Sequence, residues 1–287
     1  MDDLTYELRQ LCRRNRDSGH DTQAGRLGGL TLIARQLREL GFRQMHASSL
    51  KPKHVEALLT RWQAEGLAAG TQKNRMSYIR WWAEKVGKAG VIPANNAELA
   101  IPDRVFVTNE NKARALDDRL SRITDVYVRM SLLLQALFGL RREESVKFRP
   151  SYADRGDHLA LKGSWCKGSR PRIVPITTPE QRAVLDQAHR LAGTGSLIPA
   201  DKSYIEQRNI YDGQCKSAGL HRMHGLRHQY AQTRYEALTG WKAPAAGGPS
   251  AKMLTPEQRV QDRHARQIIS YELGHERLQV TAIYLGR

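Results

Sequence analysis

The segment Val126 to Phe138 constrains this chain more than any other. Met130, Leu132, Leu133, Leu134, Ala136 and Leu137 surround almost the whole circumference of a helix. A helix apolar on every side needs neighbours on every side, so it belongs at the centre of a larger domain. Gly139 and Leu140 close it, and Arg141 follows at a position that packing fixes. The rest of the chain must supply the elements that cover this helix.

Residues 1–105 read as helical throughout and form a first domain. Leu30, Ile33, Ala34, Leu37 and Leu40 recur at helical spacing, and Gly41 follows as a stop. A second helix opens near Leu50-Lys51-Pro52, with proline in its first turn, and runs through Val55, Leu58, Leu59 and Trp62 to Gly66. Gly70-Thr71 starts a third, with Thr71 as the expected N-cap. Its apolar side is Met76, Ile79, Trp82 and Val86; Lys73, Arg75, Arg80 and Lys85 make the other side basic. Apolar periodicity fades from about 91 to 112 around Pro93, Asn95, Asn96 and Pro102, with the interdomain linker placed at 106–112. The second domain then spans 113–287. His158–Leu161 and Arg172–Ile176 are short strand-like runs, separated by Gly163 and Gly168 as in a small hairpin. Thr178-Pro179-Glu180 opens helical sequence again, interrupted from Gly240 to Ser250 by a loop-like composition. The expected fold is therefore mainly α with one small β-sheet, an α+β architecture.

Lys and Arg total 46 against 29 Asp and Glu, a net charge of +17. In a chain with 40% hydrophobic residues, that excess points to a folded protein whose partner is a polyanion, nucleic acid first. Cys12, Cys166 and Cys215 have no CxxC spacing, which fits free thiols in a reducing compartment rather than disulfides or a zinc site. The leading Met1-Asp2-Asp3 is polar, unlike a signal peptide, and no apolar run approaches the roughly 18 residues of a membrane span. The expectation is a cytoplasmic protein with no membrane partner.

The chemistry sits in a spaced set of basic residues. Arg141-Arg142-Glu143-Glu144 follows the central helix, and Lys167 lies in the turn Cys166-Lys167-Gly168-Ser169-Arg170. His224-Gly225-Leu226-Arg227-His228, Leu273-Gly274-His275 and Tyr284 complete it. A phosphodiester is cut without metal when a side-chain nucleophile attacks in line and fixed cations neutralise the pentavalent phosphorus. Arginine suits that second role because its planar fork holds two phosphate oxygens and stays charged. His224 and Arg227 at i, i+3 project from one helix face, and Glu144 is spaced to orient Arg141 by an ion pair. Lys167, on a Gly-flanked tip, is the candidate general acid for the departing 5′ oxygen, with Lys162 and Arg170 as neighbouring competitors. His224 and His275 are candidates for handling the tyrosine proton and bonding the phosphate. Tyr284 is the candidate nucleophile, since an aryl phosphate ester stores the bond energy for religation. Neither a metal nor a cofactor is called for. Lys73, Arg75, Arg80 and Arg170 are candidate DNA contacts.

In this order and spacing, the runs Ala136 to Glu144, Lys167-Gly168, His224 to His228, Leu273 to His275 and Tyr284 resemble the boxes of tyrosine recombinases, the phage-integrase family, over roughly residues 20–287. The resemblance implies a helical core-binding domain and a catalytic domain that close as a C-shaped clamp around duplex DNA. It implies a catalytic set of Arg141, Lys167, His224, Arg227, His275 and Tyr284, with Glu144 in support. Tyr284 would form a 3′-phosphotyrosyl link and free a 5′ hydroxyl, and a partner duplex would exchange strands without ATP or metal, in a homo-tetramer on two DNA sites. The best-fitting function is a site-specific recombinase or integrase of a mobile element. Two other readings share these residues: a type IB topoisomerase-like relaxing activity, and a silent DNA-binding protein of the same fold. The Arg227–His275 spacing is longer than is usual for the family, the excess lying at 240–265 and ending in Arg259, Arg263, His264 and Arg266. That insert fits a DNA or subunit contact as well as an idle loop. Only Leu285-Gly286-Arg287 follow the tyrosine, where many relatives carry a further docking helix.

Overall fold

The computed structural model describes residues 2–275 and 277–287. Its internal contacts fall into two units, Met1–Val105 and Phe106–Arg287. The first is built from α1 (Asp3–Arg14), α2 (His20–Glu39), α3 (Pro52–Ala64) and α4 (Ala69–Lys85). Its core is the set that helical spacing selects: Leu30, Ile33, Leu37, Leu58, Met76 and Ile79, with Trp62 and Trp82 fully buried among them. Both indole N–H groups find acceptors, Trp62 on Gln36 Oε1 at 3.0 Å and Trp82 on the Ala47 carbonyl at 2.8 Å, as buried donors must.

Two local readings change in this unit. Thr71 lies inside the first turn of α4 rather than capping it. The chain enters the helix at Ala68, whose carbonyl already accepts from the Thr71 amide at 2.8 Å, and Gln72 Nε2 returns to the Leu67 carbonyl at 2.7 Å. The stretch of fading periodicity also belongs in part to this core, because Ile92 and Ile101 are buried in it. The basic side of α4 holds that stretch in place. Arg80 donates to the Pro93 carbonyl (3.0 Å) and to Asn96 Oδ1 (2.9 Å), and Lys73 pairs with Asp103 at 2.8 Å. Arg75 stacks over Trp62, 5.3 Å from the ring centroid. The charges offered as candidate DNA contacts are largely committed to partners within this unit.

The second unit is organised around α5 (Val126–Phe138), capped by Asp125, whose carboxylate accepts from the Val128 amide at 2.9 Å. One apolar cluster covers the side carrying Met130, Leu134 and Phe138; another, with Ile123, Tyr211, Cys215 and Leu226, covers Val128 and Leu132. Burial from both sides accounts for the all-round apolar sequence. Gly139 ends the helix with φ +59°, and a Cβ there would stand 2.5 Å from the Tyr230 ring. Glycine is required at that position for its conformation and for the close approach.

After α5 come α6 (Arg142–Val146) and α7 (Pro150–Ala153), then β1 (His158–Leu161) and β2 (Arg172–Pro175). The strands pair antiparallel with Leu159 opposite Val174 and Leu161 opposite Arg172. Helices α8 (Pro179–Ala192), α9 (Tyr204–Ser217), α10 (His224–Thr239), α11 (Pro256–Glu272) and α12 (Leu278–Leu285) complete the unit. The Gly- and Pro-rich insert between α10 and α11 is part of the core: Ala243 is fully buried, Ala245 and Leu254 nearly so, and Trp241 Nε1 donates to Tyr235 Oη at 3.2 Å. Arg259, Arg263 and His264 of α11 are exposed. The three cysteines are free thiols. Among the described residues no helix is long and apolar enough to cross a membrane.

Candidate active site

Four separate segments deliver side chains to one place in the second unit. The turn after α5 brings Arg141, the first two turns of α10 bring His224 and Arg227, the end of α11 leads into His275, and α12 carries Tyr284. Arg227 is almost fully buried, at 1% exposure. Its Nη1 donates to the Gly139 carbonyl at 2.5 Å and its Nη2 to the Leu273 carbonyl. Arg141 Nη2 reaches that same Leu273 carbonyl at 3.4 Å. Two guanidiniums from separate elements thus meet over the Leu273-Gly274-His275 turn.

Glu144 anchors Arg141 and a further guanidinium, that of Arg172. It has no exposed surface. Oε1 accepts from Arg141 Nη1 at 2.8 Å, while Oε2 accepts from the Arg141 amide at 2.6 Å and from Arg172 Nη2 at 2.5 Å. Burial alone would raise the Glu144 pKa. The positive fields of Arg172, Arg227 and Arg141 outweigh it and hold the carboxyl at about 2. Arg172 also donates to the Glu272 carbonyl. The Glu272 carboxylate is taken by Arg234 (3.0 Å) and the Tyr230 hydroxyl (2.8 Å). Two guanidiniums therefore share one committed carboxylate, Arg227 beside them makes no ion pair with it, and the centre is left with excess positive charge. Arg227 Nε and Arg172 Nε are buried with no hydrogen-bond partner among the described residues. A site so charged, with donors unsatisfied, is suited to an anion.

Tyr284 lies at this centre. Its hydroxyl is 3.1 Å from His224 Nε2, and its ring stacks on His275 (centroids 5.1 Å, interplanar 28°) and packs against His228 at 4.4 Å. The Arg227 Cζ is 5.8 Å from the Tyr284 ring. Burial, reinforced by Arg227 and Arg141, lowers the pKa of His224. The same cause, burial first and then the arginines, takes His275 to about 3. Burial with His224 and Lys112 beside it takes His228 to about 4. The imidazoles are accordingly neutral at pH 7 in the free protein, so a neutral His224 Nε2 can accept the phenolic proton. His275 Nδ1 lies 3.0 Å from Thr281 Oγ1, and its Nε2 is buried without a partner among the described residues. With the Thr281 hydroxyl donating to Nδ1, the neutral ring keeps a proton on Nε2 for a ligand oxygen.

Arg141, Glu144, His224, Arg227, His275 and Tyr284 are thus brought together. Lys167 is not. It stands exposed in the connection between β1 and β2, before Gly168 at φ +75°, with no polar partner among the described residues. Arg170 is on the same exposed connection, and Lys73, Arg75 and Arg80 belong to the first unit. Sequence reading missed Arg172, His228 and Thr281 as members of the cluster. Arg172 had a signal: in β2 it shares the buried phase with Val174 while Ile173 faces outward, 59% exposed. A charge on the buried phase of a strand requires a buried partner.

Comparison with known proteins gives a consistent result. Two family models match in tandem, "Phage integrase, N-terminal" over residues 1–92 and "Integrase" over residues 96–233. The tyrosine recombinase XerC of Yersinia pestis is 28% identical over 219 residues, covering 67% of this chain and 68% of the relative. Among solved structures, a lambda integrase tetramer bound to a Holliday junction is similar with TM-score 0.62 at 16% identity, covering 99% of this chain and 78% of that one. XerH bound to a palindromic difH substrate is similar with TM-score 0.60, also at 16% identity, covering 99% and 81%. At such identities the structural likeness speaks for the fold alone.

Proposed function

The chain belongs to the tyrosine recombinase (phage integrase) family, and on that premise we propose how its residues carry out site-specific DNA recombination. Tyr284 Oη attacks the scissile phosphorus. The P–O bond to tyrosine forms, the P–O5′ bond breaks, and the product is a 3′-phosphotyrosyl link with a free 5′ hydroxyl. The phenolic proton passes to His224 Nε2. Arg141, Arg227 and the His275 Nε2–H take the charge that builds on the non-bridging oxygens. The departing 5′ oxygen takes its proton from Lys167, whose exposed turn is free to reach into a groove. Attack by a 5′ hydroxyl from the partner duplex reverses each of these steps and releases Tyr284, so bond energy is conserved and no nucleotide is consumed.

The observation that carries this reading is the 3.1 Å contact between the Tyr284 hydroxyl and His224, inside a cluster where Arg141 and Arg172 share one carboxylate and Arg227 adds a third positive charge. A tyrosine placed only to fill the core would have no need of that company. The finer reading is an integrase of a mobile element, working in the cytoplasm as a homo-tetramer on two duplex sites, with 106–112 as the linker between a core-binding and a catalytic domain. Lys73, Arg75 and Arg80 then contribute to DNA binding chiefly by shaping α4, and Arg170 acts beside Lys167.

A nicked duplex drawn from a randomised pool by covalent capture with the wild-type protein supplies the test substrate. Tyr284→Phe abolishes capture of that duplex and leaves its affinity within about twofold, since the lost hydroxyl carries the chemistry and not the phosphate contacts. Capture that persists in Tyr284→Phe refutes the assignment. Two-site reactions that yield recombinant joints separate this function from simple strand relaxation.

A further inference from the structure

The stretch that leads into the second unit is tied to the site at three places, and none of the ties has a part in the chemistry above. Asn111 Oδ1 accepts from Gln232 Nε2 at 3.1 Å, and the same Nε2 donates to the backbone carbonyl of Tyr284 at 3.2 Å. Asn109 Oδ1 accepts from the Arg287 amide at 2.9 Å, just beyond α12. Farther along, the Arg114 amide donates to the Gly225 carbonyl at 3.0 Å, next to His224. Packing there is tight: a Cβ on Gly225 would lie 2.4 Å from Arg114 Cγ and 2.7 Å from the Lys112 carbonyl oxygen. Residues 109–114 therefore touch the backbone beside the tyrosine on α12 and beside its histidine partner on α10.

We propose that Asn109, Asn111 and Gln232 are positioning residues, a strap that sets the register of α12 against α10 and so holds Tyr284 within reach of His224. Helix α12 is eight residues long, too short to be rigid on its own. A slide of about 1 Å along α10 would break the contact at the hydroxyl, and misplacement of that size costs on the order of 100-fold in rate. The carbonyl of Tyr284 is the point on α12 where restraint acts most directly on the nucleophile. Gln232 is suited to the restraint because its side-chain amide carries two hydrogens, one for Asn111 and one for Tyr284. It is buried, at 5% exposure, where competition from water is small.

This inference rests on Tyr284 as the nucleophile, and the experiment separates the two. Asn111→Ala, Asn109→Ala and Gln232→Glu are compared with wild type in single-turnover capture of the selected nicked duplex at saturating protein. A second duplex carries a 5′-bridging phosphorothiolate, whose sulfur leaves without a general acid. Glutamate keeps the shape of Gln232 but has no hydrogen to donate. The strap predicts capture slowed roughly 10- to 100-fold on both duplexes, with affinity for DNA unchanged. Asn109 and Asn111 are exposed, and since Asn109 holds a φ of +57° that alanine disfavours, Asn111→Ala carries the test should Gln232→Glu not fold. Wild-type rates in both asparagine variants, or recovery on the phosphorothiolate, overturn the strap. If Tyr284→Phe still captures DNA, the nucleophile itself was misassigned, a distinct failure.

Discussion

Replacing Glu144 with glutamine isolates the electrostatics that assemble this site. The substitution keeps the shape of a side chain with no exposed surface and removes the carboxylate that pairs with both Arg141 and Arg172. An ordinary glutamate titrates near 4.5 and Glu144 near 2. At ~1.4 kcal/mol per pH unit, that difference corresponds to about 3 kcal/mol of favourable interaction with the carboxylate at neutral pH. Breaking a buried ion pair by removing one partner costs ~3–5 kcal/mol, so two independent routes agree. In a unit of this size each kcal/mol moves the melting temperature by ~2–4 °C, giving a loss of roughly 6–12 °C. The pH dependence makes the test specific. The folded pKa lies below the unfolded one, so the stabilisation is complete above pH 4.5 and is lost as pH falls toward 2. Urea unfolding at pH 7, 5, 4 and 3 should show the wild-type advantage over Glu144→Gln shrink across that window. A variant as stable as wild type at pH 7, or a difference that ignores pH, refutes the charge argument.

Arg227→Lys keeps the charge but cannot bond the Gly139 and Leu273 carbonyls in the forked geometry seen here, so cleavage should fall ~10²–10³-fold with DNA affinity nearly unchanged; near-normal capture would argue against its role. Lys167→Ala should slow capture of the ordinary duplex ~10²-fold and leave the phosphorothiolate duplex unaffected, whereas equal loss on both would remove it as general acid. Because His275 and His228 are held neutral to about pH 3 and 4, the unfolded chain binds more protons than the native one below pH 6.5. Stability should therefore decline as pH drops from 7 to 5, and urea midpoints that stay constant over that range would contradict burial of neutral imidazoles.

Much of the fold was legible because its elements are marked by short-range physics. The apolar circumference of α5, the helix start at Thr178, Pro52 and Pro179 in first turns, and the strand-like run of β1 all act within a few residues. Where other contacts override a local signal, the reading failed. Thr71 has the right chemistry for a cap but loses to a helix start that Gln72 secures from the other side. The 91–101 stretch lacks periodicity because two isoleucines and a clamp of polar contacts hold it, without a regular helix to repeat them.

The site divides along the same line. Its side chains were visible as types and spacings, but what aims them is backbone. Arg227 and Arg141 are oriented by the carbonyls of Gly139 and Leu273, and every residue has a carbonyl, so no pattern of letters distinguishes these two. Arg172 illustrates the case between. Its charge occupies the inward phase of a two-stranded sheet, which is readable, but the partner that makes it tolerable lies 28 positions away on another element. Desolvating a guanidinium there is unfavourable unless a carboxylate is already waiting, and Glu144 is already bound to Arg141. Adding Arg172 therefore ties the hairpin that bears Lys167 to Arg141, the arginine proposed to receive the phosphate. An anion entering the cluster acts on both at once.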